Sequence, residues 1–214
     1  KTYSAGLTVG EVTIDVGGFK LPAYRAMPAN KGNLPVVLVV SEIFGVHEYI
    51  ADVARRFARL GYLAIAPEMF VRQGDAGSYG EIAKLMSEVV AKVPDAQAMA
   101  DLDACVAWAK ANGGDVNKLA VTGFCWGGRI TWLSSAPNPG VKAGVAWYGR
   151  LVAATTALQP APPVNVAAQL KAPVLGLYGE KDTGIPLADV EKMRAALAAA
   201  KNSSDIVVFL DAPH

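Results

Sequence analysis

The sequence predicts an α/β fold with a mostly parallel central sheet and helices on both faces. Short apolar segments of strand length alternate along the chain with longer segments whose apolar residues recur at helical spacing. The segment at residues 36–40 is apolar at every position, which is typical of a parallel strand covered on both faces. With 214 residues, of which 52% are hydrophobic, the chain can bury one large core, and we expect a single domain over residues 1–214.

Eight strands and five helices follow from this pattern. The strands are expected at residues 11–15, 20–25, 36–40, 63–66, 118–122, 141–147, 174–178 and 205–210. The helices are expected at residues 48–60, 79–92, 95–111, 126–134 and 186–200. We expect the first two strands to form an antiparallel edge pair. The Pro- and Ala-rich connection at residues 151–172 is expected to cross the end of the sheet that carries the functional loops.

One motif carries chemical information: Gly123-Phe124-Cys125-Trp126-Gly127-Gly128, at the junction of a predicted strand and a predicted helix. Its spacing is that of the nucleophile elbow of the α/β-hydrolase fold, with cysteine in place of the usual serine. A side chain on this turn adopts strained backbone angles, and small residues two positions away let neighbouring chain pass close by. The helix N-terminus also favours thiolate over thiol. The alternative is a buried core cysteine followed by a Gly-Gly turn.

Candidates for an acid and a base follow the cysteine in the order that this fold uses. The chain has two histidines, and only His214 follows the motif, on a loop after the last predicted strand. Asp182 lies on the loop after the strand at residues 174–178 and is the favoured acid, with Glu180 as its competitor. Taken alone, Asp182 would be read as a solvated loop carboxylate. We interpret His47 as a surface or capping residue without a chemical role.

The chain resembles a known family at several separate places. These are the cysteine motif, the segment Glu42-Ile43-Phe44-Gly45-Val46, the loop Arg72-Gln73-Gly74 and the final Asp211-Ala212-Pro213-His214. The combination is similar to the dienelactone hydrolase family (carboxymethylenebutenolidases) of the α/β-hydrolase superfamily. The resemblance runs from about Val36 to the last residue.

The resemblance implies a role for each of six residues. Cys125, Asp182 and His214 would form a catalytic triad. Glu42 would contact the thiol in the resting enzyme and help to control its ionisation; the alternative is that Glu42 caps the helix that begins near His47. The backbone N–H groups of Ile43 and Trp126 would form the oxyanion hole.

Three further residues are candidates for substrate binding. Phe44 would line an acyl pocket, although an aromatic residue there could equally be part of the core. Tyr148 follows a predicted strand and should face the same cleft, with a packing role as the alternative. Arg72 would receive a substrate carboxylate, whereas most loop arginines are simply solvated.

The expected reaction is acyl transfer through a covalent thioester, with a small-molecule lactone or ester as substrate and no metal or organic cofactor. Thiols suit activated esters and enol lactones better than amides. Two other classes of protein stay open: a non-catalytic hydrolase-like protein that binds a small acidic or aromatic ligand, and a thiol redox or peroxide sensor. The order of the triad disfavours the first of these. The lack of a resolving cysteine disfavours the second.

The composition of the chain limits the classes of partner that it can be expected to bind. The net charge of +1 and the absence of a basic run give no basis for nucleic-acid or anionic-membrane binding. No apolar run reaches the 18 or so residues that span a bilayer, so we expect a soluble protein, either a monomer or a weak homo-oligomer. The second cysteine, Cys105, falls on the apolar face of the helix at residues 95–111, and we expect it to be core packing.

The two ends of the chain carry expectations of their own. A terminal His214 would fray, so we expect further residues, including a closing segment, to follow it. The first residue is Lys1 and not methionine, which indicates trimming, a tag junction or a removed export signal. The expected compartment is the cytoplasm, with the periplasm or secretion as the alternative.

Overall fold

A mostly parallel sheet and the helices between its strands give the chain an α/β fold. The computed structural model describes residues 1–214. The chain divides into two compact units, Lys1–Leu119 and Ala120–His214, and the strand β5 (Gly114–Phe124) runs from one into the other. The expectation of a single domain stays a prediction.

The first unit contains four strands in the order β1, β2, β4, β3. They are β1 (Leu7–Val16), β2 (Phe19–Pro28), β3 (Leu34–Val40) and β4 (Leu63–Pro67). The pair β1 and β2 is an antiparallel hairpin, as predicted, and both strands are longer than expected. Strand β4 pairs with β2 in the antiparallel sense and with β3 in the parallel sense. All residues of β4 are buried, in keeping with its uninterrupted apolar sequence.

Three helices belong to the first unit: α1 (Glu48–Arg59), α2 (Ile82–Glu88) and α3 (Asp95–Ala111). The predicted helix at residues 79–92 is wrong in its extent. Glu81 has extended backbone angles and precedes the first turn of α2, and Val89, at φ −120° and ψ −66°, ends the helix. Short 3₁₀ turns at Ala76–Ser78 and Val90–Lys92 flank it.

The second unit continues with three parallel strands, β6 (Val141–Trp147), β7 (Val174–Gly179) and β8 (Asp205–Phe209). Helix α4 (Trp126–Ser134) follows β5, and α6 (Leu187–Ala199) connects β7 to β8. The connection at residues 151–172 also holds a short helix, α5 (Pro163–Val166), and a 3₁₀ turn, Ala167–Gln169, which the sequence analysis did not predict. Pro163 at the first position of α5 is well suited to start a helix.

A buried hydrogen-bonded chain ties helix α4 to the strands beside it. The indole Nε1 of Trp132 donates to the hydroxyl of Tyr178 at 3.0 Å, and this hydroxyl donates to the carbonyl of Gly149 at 2.8 Å. Both rings are fully buried in the core of the second unit. These bonds satisfy two polar groups that would otherwise be costly to bury, and they fix the loop after β6 to β7 and α4.

Candidate active site

Cys125 occupies a sharp turn between β5 and α4. Its backbone has φ 54° and ψ −114°, a region that non-glycine residues rarely enter. The N–H of Cys125 donates to the carbonyl of Trp147 at 2.9 Å, and the N–H of Arg129 donates to the carbonyl of Cys125 at 3.1 Å. The turn is therefore held from the neighbouring strand and from the first helical hydrogen bond. A strained backbone conformation that is fixed by its surroundings in this way is typical of functional sites.

Two glycines of the motif are required by close packing. A Cβ atom on Gly123 would overlap the carbonyl of Gly127, and one on Gly128 would overlap the carbonyl of Trp147. Backbone passes so near to both positions that no side chain fits. The predicted reason for small residues on either side of the nucleophile position is confirmed at Gly123.

His214 lies between Cys125 and Asp182 and contacts both. Its Nε2 is 3.2 Å from the Sγ of Cys125, and its Nδ1 is 2.6 Å from Oδ2 of Asp182. The other carboxylate oxygen of Asp182 accepts hydrogen bonds from the backbone N–H groups of Gly184 at 2.9 Å and Ile185 at 3.2 Å. Three hydrogen bonds and burial of the side chain hold this carboxylate in one orientation.

Glu180, the competing acid, has a different partner. Its Oε2 accepts a hydrogen bond from the backbone N–H of Asp211 at 3.0 Å. Backbone bonds reinforce this contact, because the N–H of Glu180 donates to Phe209 and the N–H of Lys181 donates to Ala212. Glu180 thus holds the loop that leads to His214.

The surroundings of His214 favour its charged form. The hydrogen bond with the sulfur of Cys125, and then that with Asp182, raise the pKa of His214 to about 9, against a partial burial that lowers it. Both ring nitrogens are thereby engaged, Nδ1 with the carboxylate of Asp182 and Nε2 with the sulfur of Cys125.

Tyr148 packs against the same imidazole. Its ring lies 4.8 Å from the ring of His214 in an edge-on arrangement and 6.4 Å from that of Phe124. Its φ of 37° is a second positive value at the end of a strand. This contact with His214 limits the orientations that the ring of Tyr148 can adopt. Binding of substrate by Tyr148 stays a prediction.

The loop after β3 holds Glu42 beside a histidine. Oε1 of Glu42 is 2.7 Å from Nε2 of His47, whose Nδ1 accepts a hydrogen bond from the N–H of Tyr49 and caps α1. The capping role predicted for His47 is confirmed, and the alternative of Glu42 as the cap is wrong. Ile43 is buried and Phe44 is 42% exposed. The oxyanion and pocket roles of these two residues stay predictions, as does the oxyanion role of Trp126, the first residue of α4.

Sequence reasoning missed two side chains around this loop. It gave no partner to His47 and did not consider Glu68, whose Oε2 accepts a hydrogen bond from the N–H of Val46 at 3.4 Å. Burial raises the pKa of Glu68. A signal was available, because Glu68 directly follows β4, and the carboxyl ends of the parallel strands β3 and β4 meet at one edge.

Arg72 is engaged in a salt bridge. Its two terminal nitrogens lie 3.0 and 2.9 Å from the two oxygens of Asp101, and its guanidinium stacks 3.9 Å above the ring of Phe19. The side chain of Asp101 is fully buried. This geometry gives Arg72 a structural role, and its predicted contact with a substrate carboxylate is not tested by it.

Cys105 is fully buried on α3, so its assignment to the core is confirmed. Burial raises the pKa of its thiol far above the ordinary range. No cluster of three or more His, Cys, Asp or Glu side chains is arranged to hold a metal ion. None of the helices combines the length and the apolar character needed to cross a bilayer.

Known proteins resemble the chain over nearly all of its length. The sequence pattern of the "Dienelactone hydrolase family" matches residues 21–214. A protein of Methylorubrum extorquens described as "Putative carboxymethylenebutenolidase" is 59% identical over 214 residues, which are 100% of this chain and 74% of that protein. An Escherichia coli K12 protein with the same description is 52% identical over 215 residues, covering 100% of this chain and 79% of the relative.

A solved structure agrees with the fold. The crystal structure of a dienelactone hydrolase from Klebsiella pneumoniae, also described there as putative, superposes with a TM-score of 0.95 at 55% identity, covering 97% of this chain and 87% of that one. The predicted α/β-hydrolase fold is thereby confirmed. The chain belongs to the dienelactone hydrolase family of the α/β-hydrolase superfamily, a family of hydrolytic enzymes.

Proposed function

We propose that this hydrolase cleaves a lactone or a carboxylic ester through a thioester on Cys125. The observation that carries the proposal is the position of His214, in contact with the sulfur of Cys125 on one side and with the buried carboxylate of Asp182 on the other. This is the order of contacts that a nucleophile, a base and an orienting acid require. Family membership supports the class of reaction.

Acylation begins with the proton of Cys125 on His214. The sulfur attacks the carbonyl carbon, a C–S bond forms, and the carbonyl electron pair moves to oxygen. The backbone N–H groups of Ile43 and Trp126 are proposed as donors to this oxyanion, and losing one such donor typically costs about 3 to 4 kcal/mol of barrier. When the C–O bond breaks, the leaving oxygen takes the proton from His214. In a lactone the leaving oxygen stays tethered to the acyl group.

Deacylation reverses these roles. Neutral His214 removes a proton from water, whose oxygen attacks the thioester carbon. The C–S bond then breaks, the acid leaves and the sulfur regains its negative charge beside the imidazolium. Asp182 holds the ring in the useful orientation and stabilises its cation through both steps. Glu42 is proposed to control the ionisation of Cys125 before substrate binds, and Phe44, Tyr148 and Arg72 remain candidates for substrate contact.

The experiment is incubation with 4-nitrophenyl acetate, followed by release of nitrophenol and by intact-mass measurement. We expect turnover and an acetyl adduct on the cysteine, with neither in Cys125→Ala. Ligand binding without turnover would support a non-catalytic binding protein. Loss of the thiol to peroxide at physiological concentration, reversed by a reductant and without any esterase activity, would support a redox sensor.

A further inference from the structure

Both ring nitrogens of His47 form hydrogen bonds, and the role of one nitrogen as acceptor requires the other to be the donor. Nδ1 accepts a hydrogen bond from the backbone N–H of Tyr49 at 3.3 Å, so it carries no hydrogen. A neutral imidazole then has its hydrogen on Nε2, which lies 2.7 Å from Oε1 of Glu42. The helix cap therefore selects the tautomer that donates to the carboxylate.

The loop between Glu42 and His47 is closed on itself by backbone bonds. The N–H of Gly45 donates to the carbonyl of Glu42 at 3.4 Å, and the N–H of His47 donates to the carbonyl of Gly45 at 3.1 Å. Gly45 has φ 78°, which a residue with a side chain would adopt only with strain. Both ends of the Glu42 to His47 contact are thus held by main chain, and one end is attached to α1.

Another charged group near this contact is Glu68. It accepts a hydrogen bond from the N–H of Val46. It shares no hydrogen bond with His47, so the imidazole has Glu42 as its carboxylate partner. The contact between Glu42 and His47 is also partly sheltered, because the carboxylate side chain is only 19% exposed.

We infer that His47 is a positioning residue for Glu42, locked by its role as the N-cap of α1 into the tautomer that donates to Oε1. The inference rests on the proposed function, in which Glu42 controls the ionisation of Cys125. A carboxylate held by one donor at a fixed oxygen keeps one orientation. Without that donor, Glu42 would sample several rotamers and its influence on the thiol would weaken.

Two substitutions separate the two bonds of His47. Asn carries an acceptor at the position of Nδ1 and is a favoured N-cap residue, but it has no atom that reaches Glu42. Gln carries an amide N–H at the position of Nε2 but loses the capping acceptor. His47→Asn therefore removes the contact with Glu42 and retains the cap, whereas His47→Gln does the reverse. Glu42→Gln serves as the reference for loss of the carboxylate.

The kinetic readout is the pH dependence of iodoacetamide alkylation of Cys125, together with kcat and KM for 4-nitrophenyl acetate. We expect His47→Asn to shift the alkylation profile in the same direction as Glu42→Gln and to lower kcat several-fold, at the wild-type Tm. His47→Gln should keep the wild-type profile while its Tm falls by about 2–4 °C. A wild-type profile in His47→Asn, alongside a shifted one in Glu42→Gln, would overturn the inference and leave the proposed function intact.

The tautomer can be observed without any activity. With only two histidines in the chain, ¹⁵N-histidine NMR resolves both rings, and His47→Asn assigns them. We expect Nδ1 of His47 to be unprotonated and Nε2 to be protonated. A hydrogen on Nδ1 would overturn the inference. If Glu42→Gln behaves as wild type, Glu42 has no part in the proposed mechanism. The NMR spectrum would then still decide whether Nε2 of His47 donates to the carboxylate of Glu42.

Discussion

Asp182 and His214 are 2.6 Å apart but have very different access to solvent. The side chain of Asp182 is 1% exposed, whereas that of His214 is 46% exposed. The carboxylate is shielded from water by its hydrogen bonds to backbone amides, and the imidazole keeps an open side. The proposed mechanism requires this division, because in it Asp182 only orients the imidazole whereas His214 must meet substrate and water.

The reactivity of the two cysteines should differ sharply. Iodoacetamide is expected to label Cys125 first and to abolish hydrolysis, because its side chain is partly exposed and its sulfur contacts the imidazole of His214. Cys105 is fully buried and has a raised thiol pKa, so it should react only after unfolding. Peptide mapping after brief labelling measures this. Labelling of Cys105 with activity retained would defeat the assignment.

Asp182 and Glu180 should be separable by isosteric substitution. Asp182→Asn is expected to lower kcat by about 10⁴-fold, the effect seen when a triad acid is replaced by its amide. Glu180→Gln keeps an acceptor for the N–H of Asp211 and should change kcat little. Steady-state kinetics of both variants, with Tm as a check on folding, test the choice. The reverse pattern would identify Glu180 as the acid.

Under the proposed function, Glu42 holds Cys125 in its protonated form until substrate arrives, because a negative charge beside a thiol disfavours the thiolate. Glu42→Gln is expected to move the alkylation of Cys125 to lower pH and to speed its oxidation by peroxide. Hydrolysis of the true substrate should slow if the carboxylate also helps to remove the proton. Equal alkylation profiles and equal peroxide sensitivity in both proteins would leave Glu42 with a structural role only.

The titration of His214 should show its two partners. NMR should give a midpoint of about 9 in place of 6.5, and Cys125→Ala should lower it more than Asp182→Asn does. Because the folded-state pKa is raised, the linked stability is fully present below pH 6.5 and is lost as pH rises through 9. Half-exposure of the ring keeps that contribution small. A midpoint near 6.5 that is the same in the wild type and in Cys125→Ala would show that Cys125 does not raise the pKa of His214.

Asp101 should matter for stability more than a surface carboxylate does. Asp101→Ala leaves Arg72 without its bidentate partner, and breaking a buried pair of this kind costs about 3 kcal/mol in the free energy of unfolding. Glu191→Ala, which breaks an exposed pair with Arg194, should cost under about 1 kcal/mol. Urea unfolding compares the two.

The predicted binding role of Arg72 is tested separately by enzyme kinetics. For Arg72→Gln, a rise in KM confined to substrates with a carboxylate would support that role.

The part of the site that sequence reasoning located is the part defined by chain order. Cys125, Asp182 and His214 each follow a strand, and parallel strands bring their carboxyl ends to one edge, so their proximity could be foreseen. The contact of His47 with Glu42 could not, because it depends on rotamers and on a tautomer selected by a helix cap. The pairing of Arg72 with Asp101 joins a loop to a helix 29 residues away, and neither shows a local pattern.

The strand ends were predicted less well than the strand centres. Strand β5 runs over Gly114–Phe124, so it begins four residues before the predicted segment, where the side chains are half-buried or exposed and give no apolar signal, and it ends two residues after that segment. The predicted helix at residues 79–92 was too long at both ends, because α2 covers only Ile82–Glu88. Helical spacing of apolar residues persists through residues 79–92, whereas the backbone angles of Glu81 and Val89 interrupt the helix.

The loops of the acid and of the base are joined mainly by main-chain atoms. Glu180 and Lys181 donate their N–H groups to the carbonyls of Phe209 and Ala212, and these bonds do not depend on which side chains the residues carry. Variation at Lys181 or Phe209 is therefore compatible with an unchanged distance between the acid and the base. Gly179 is the exception, because a Cβ there would overlap the carbonyl of Ala212 and push the histidine loop away. In a library of variants of this chain, that glycine should tolerate replacement no better than the proposed triad does.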